Sequence, residues 1–97
     1  MKAIMISFDQ AHYESVLAVL DRTNARGFTM VPTTQGRGTK TGEPHYGSHA
    51  WPSICSTIFT IVEDAQAEPL MQRLKALDEE SPMLGLRAFQ WSVETSI

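Results

Sequence analysis

The stretch Thr-Thr-Gln-Gly-Arg-Gly-Thr-Lys-Thr-Gly-Glu-Pro-His-Tyr-Gly-Ser-His-Ala-Trp-Pro, residues 33–52, divides the chain. It holds four of the six glycines, two of the three histidines and two of the five prolines. Such a segment is neither a helix nor a long unbroken strand, because glycine and proline interrupt both. It is also longer than an ordinary turn. In a chain of 97 residues it takes a fifth of the length while offering little to bury, so the core has to come from the two flanking pieces.

Each flanking piece reads as strand, helix, strand. Residues 2–8, Lys-Ala-Ile-Met-Ile-Ser-Phe, form a short apolar run of strand length. Asp9 stands at a helix N-cap position, and Tyr13, Val16, Leu17 and Leu20 follow at the spacing of one helical face. Gly27 is the expected C-cap, since it adopts positive φ without a Cβ clash. Residues 28–34 alternate as a second strand, where Pro32 requires an edge, a bulge or a fraying end. After the long segment, residues 53–62 are dense in β-branched side chains and read as the third strand. Asp64 is the expected cap of a second helix carrying Ala67, Leu70, Met71 and Leu74, extended by Leu77, and Pro69 predicts a start a few residues beyond that cap. Ser-Pro-Met-Leu-Gly ends this helix, and residues 86–93 alternate Phe89, Trp91 and Val93 against Ala88, Gln90 and Ser92. The order βαββαβ predicts one α+β domain over residues 1–97, a ferredoxin-like four-stranded antiparallel sheet with both helices on one face and a long loop, 36–52, between strands two and three.

That architecture leaves one sheet face without helices. The third strand carries Ile54, Ile58 and Val62 toward one side, and Cys55, Phe59 and Ile61 toward the other. Two apolar faces with helices for one predict burial of the second by partner subunits. Eight basic and eleven acidic residues, spread without blocks and giving a net charge of −3, argue against a nucleic-acid or anionic membrane surface. Cys55 is the lone cysteine, which fits a reducing compartment, and the run Ala3–Phe8 is too short for a signal sequence or a membrane span. These features predict a soluble cytoplasmic protein.

The long segment holds two candidate chemistries. Gly36, Gly38 and Gly42 let backbone N–H groups converge on an anion, while Arg37, Lys40 and the hydroxyls of Thr39 and Thr41 supply charge-assisted hydrogen bonds. The pattern is neither a Walker A loop nor a dinucleotide fingerprint. In competition, His45, His49 and Cys55 lie within eleven residues and are all ligand types for nickel, zinc or copper. The His49-x5-Cys55 spacing before an apolar strand resembles the metal-site segment of nickel-responsive repressors, although their His-x-His and DNA-binding domain have no counterpart. Catalysis is not expected. No carboxylate orients a Cys55–histidine pair, and Glu63, Asp64, Asp78, Glu79 and Glu80 sit at helix ends, where carboxylates cap or solvate.

Residues 27–42, Gly-Phe-Thr-Met-Val-Pro-Thr-Thr-Gln-Gly-Arg-Gly-Thr-Lys-Thr-Gly, resemble the PII signal-transduction family (the nitrogen regulatory P-II superfamily), in which the second strand runs from a glycine into Gly-Phe-Gly-Arg-x-x-Gly at the base of a T-loop. The segment His45–Trp51 is similar to the Tyr-Arg-Gly-Ser/Ala-Glu-Tyr sequence near that loop's tip. The resemblance implies a homotrimer with adenine nucleotides, ATP or ADP, in clefts between subunits at the loop base. It also implies a loop that docks on a transporter, an enzyme or a regulator. Thr29, Gly36 and Gly38 match nucleotide-contacting positions, and Arg37 or Thr39 stands near the family's loop arginine. Ser48 and Trp51 fall near positions that some relatives modify, with Tyr46 beside them in the partner loop. A Thr-Gly-x-x-Gly-Asp-Gly-Lys phosphate loop is absent between the second helix and the last strand. Residues 79–87 read Glu-Glu-Ser-Pro-Met-Leu-Gly-Leu-Arg there, leaving Arg87 as the cation for an anionic effector.

Overall fold

A computed structural model describes residues 1–25, 27–34, 36–37, 44–45 and 55–97, with side chains described at all of these except 33, 34, 36, 37, 44 and 45. The strands are β1 (Lys2–Asp9), β2 (Phe28–Thr34), β3 (Gly36–Arg37), β4 (Pro44–His45), β5 (Cys55–Val62) and β6 (Arg87–Ser92). The helices are α1 (Tyr13–Arg22) and α2 (Asp64–Glu80), with short 3-10 turns at Gln10–His12 and Pro82–Leu84. Four strands form an antiparallel sheet in the order β2-β5-β1-β6, which is the ferredoxin-like arrangement expected from the sequence.

One sheet face and the two helices make the core. Ile4, Ile6 and Phe8 of β1 and Ile58 and Val62 of β5 pack with Val16 and Leu20 of α1 and with Ala67, Leu70 and Leu74 of α2. Each such large side chain contributes roughly 1.5–3 kcal/mol when fully buried. The helical stripes read from the sequence are the ones that face this layer, because a 3.6-residue period keeps those positions on one side.

Local chemistry sets the element ends, in places differently from expectation. Asp9 does cap the first helical segment: its Oδ1 accepts the Ala11 N–H at 2.8 Å. α1, however, ends before Gly27. Asn24 takes the left-handed conformation at φ 60°, its N–H donates to Asp21 O, and the Ala25 N–H donates to Leu20 O at 2.8 Å. That is the Schellman pairing with asparagine in the position glycine usually fills. The Thr23 hydroxyl, donating to Val19 O at 2.8 Å, supports the same turn. Gly27 is thus not the C-cap; its carbonyl instead accepts the Thr60 hydroxyl at 2.7 Å. α2 starts directly at Asp64 with Glu63 as its N-cap, so neither the Asp64 cap nor the delayed start holds, and Pro69 lies inside the helix. Gln66 explains the early start. Its Oε1 accepts the Glu63 N–H at 2.9 Å, and its Nε2 donates to Asn24 O at 3.2 Å, tying the first turn of α2 to the end of α1.

β2 is an edge strand, and its register with β5 shifts between Val31 and Thr34. Pro32 sits in that irregularity, where its missing N–H breaks no regular ladder. β6 is the other edge, paired only with β1 among the described strands.

Candidate functional site

Strand direction collects most chemistry-bearing residues at one end of the sheet. β1 and β2 finish there, β5 and β6 begin there, α1 leaves from it and α2 returns to it. Segment 35–54 leaves and rejoins the sheet at the same end. Successive rows across the helix-free face, in the order β2, β5, β1, β6, are: Ile61, Ala3 and Trp91 on the last three strands; Thr29, Phe59, Met5 and Phe89; Val31, Thr57, Ser7 and Arg87; and finally Thr34, Cys55 and Asp9 on the first three. The face therefore changes character along its length. The rows far from segment 35–54 are apolar, and those beside it are polar. Ile61 is 52% exposed and Phe89 55%, with Phe59 and Trp91 similarly open. Phe59 and Ile61 are the large hydrophobics expected to need covering, Phe89 and Trp91 of β6 join them, and Cys55, expected with them, is buried.

In the polar rows Asp9 and Cys55 are direct cross-strand partners, and both are buried. Burial, and secondly the negative charge of Asp9, push the Cys55 thiol above its ordinary value, which favours its neutral form. His12 is buried at the start of the helical layer, and its Nε2 is enclosed without a hydrogen-bond partner among the described residues. Arg87 is half-buried; its Nη1 donates to Leu86 O at 2.9 Å and lies 3.9 Å from Asp78 Oδ2 on α2. The other carboxylate oxygen of Asp78 is enclosed and likewise unpartnered among the described residues.

The candidate anion site is only partly gathered within one chain. Gly36 and Arg37 form β3, which pairs with β4 so that Gly36 faces His45 and Arg37 faces Pro44. This two-residue ladder at the loop base was not expected from the sequence. It brings one anion candidate, Arg37, onto the same ladder as one metal candidate, His45. Thr29 is exposed on the edge strand β2 opposite Phe59, seven residues before Gly36 in the chain. Arg87 stands on the opposite edge, three strand spacings or roughly 14 Å from β2. Gly38, Thr39, Lys40, Tyr46, Ser48, His49 and Trp51 lie outside the described residues, as does Ile54. Among the described residues no group of three or more His, Cys, Asp or Glu side chains is arranged to hold a metal.

No protein-family model matches the chain, and no curated protein matches it. Solved structures do. CPII, a nitrogen regulatory PII-like protein from Thiomonas intermedia K12 bound to ADP, AMP and bicarbonate, superposes with a TM-score of 0.77 at 22% identity, over 93% of this chain and 82% of that one. The same protein bound to ADP, AMP and acetate gives 0.78 at 20% identity, over 99% and 88%. A protein from Thermus thermophilus assigned to the PII-like signalling class gives 0.68 at 24% identity, over 95% and 85%. The chain has the PII-like fold. In this fold the α2–β6 connection is a single turn of 3-10 helix closed by Gly85 in the left-handed conformation, φ 69°. No helix among the described residues is long and apolar enough to cross a membrane.

Proposed function

We propose that this protein is a PII-like regulator. It assembles as a homotrimer through the helix-free sheet face, binds a small anionic effector, an adenine nucleotide, where copies meet at the loop-base end, and signals occupancy to a protein target through segment 36–52. It carries out no reaction of its own. The observation that supports this reading most directly is the likeness, over nearly the whole chain, to a PII-like protein whose structures hold ADP and AMP. The open apolar rows of Met5, Phe59, Ile61, Phe89 and Trp91 add a physical reason for assembly, since contiguous exposed apolar patches mark protein–protein contacts.

Assembly also resolves the dispersal of the candidate site. A closed ring of identical subunits uses two different patches at each contact. With sheet faces turned inward, the β2 edge of one copy meets the β6 edge of the next. Gly36 and Arg37 of one copy then face Arg87 and the α2–β6 connection of its neighbour.

Isothermal titration with ADP and AMP, alongside sedimentation equilibrium, tests both halves of the reading. The expected outcome is a trimer that binds at least one of the two nucleotides and loses that binding in Arg37→Ala. A charge-assisted hydrogen bond of this kind contributes roughly 1.5–3 kcal/mol. A monomer that binds neither nucleotide refutes the proposal.

A further inference from the structure

We draw no further inference here: the strongest candidate, the buried His12 imidazole at the start of the helical layer, whose Nε2 is enclosed without a hydrogen-bond partner among the described residues, belongs to no group of three or more His, Cys, Asp or Glu side chains among those residues, and nothing in the structure shows what meets that nitrogen.

Discussion

The two faces of the sheet are written by the same strands, residue by alternate residue, yet they come to opposite ends. On β5, Ile58 is sealed beneath both helices, and Ile61, three residues on, stands half in water. Both are isoleucines in one strand with the same backbone pairing partner, β1. Ile58 also has Met30 of β2 beside it, but the main difference is whether the chain itself supplies a cover. Folding therefore rests on one face, and the proposed assembly draws on the other.

The sharpest way to break that contrast is to truncate both isoleucines. Ile58→Ala should destabilise the protein by roughly 2–5 kcal/mol in a urea melt, as buried large-to-small changes do. Ile61→Ala, measured at a dilution where copies are separate, should cost well under half as much. Equal losses would mean that the open face is not open in the isolated chain. A second test adds charge instead of removing volume. Phe89→Asp should shift the sedimentation profile toward monomer while the far-UV spectrum stays native, because a carboxylate on a covered apolar face carries a desolvation penalty. Unchanged mass would place the contact elsewhere.

Smaller effects sharpen the folding side. Thr60→Val leaves the Gly27 carbonyl without its 2.7 Å donor and should lower stability by roughly 1–3 kcal/mol in the same melt. No loss would show that water substitutes there. The smallest effect expected is at Asp64, whose Oδ1 is 3.0 Å from the Met1 amine. The hydrogen bond from that amine, and then its charge, lower the Asp64 pKa in the folded protein. The stabilisation is therefore present above the ordinary carboxylate value near ~3.9 and disappears as pH falls through the lowered folded value. Asp64→Asn should lower stability slightly at neutral pH, leave it unchanged at the lowest pH and so flatten the acid limb in urea melts across pH, a small effect because the carboxylate is exposed.

The same contrast explains what could be read in advance. Periodicity reports burial for both helical stripes, and the two-sided apolarity of β5 was legible too. The alternation of β6 marked a strand, but its apolar set Phe89 and Trp91 lies on the open face while Ala88 packs on the core. Pro32 was legible for a related reason, because a missing donor has few places to go. Events decided by a single hydrogen bond were not. Asn24 closes α1 because the Ala25 N–H reaches Leu20 O, and no pattern in the sequence favours it over Gly27. Likewise, Gln66 fixes the start of α2 three residues ahead of itself, while Pro69 had suggested a later one. The β3–β4 ladder is two residues long on each side, too short for any period to show. As for the site, the sequence supplied its residue types, but the separation of Arg87 from β2 is a property of strand order alone.

The irregular edge at Pro32 bears on how large an assembly this chain can build. A sheet grows without limit by edge addition only when both of its outer strands offer a regular row of donors and acceptors. β6 offers one. β2, broken by a register shift and lacking an N–H at Pro32, does not. Copies stacked edge to edge would stop after a single β6-to-β6 joint, so the protein can carry a wide apolar face without the ribbon-like polymerisation that such faces otherwise invite.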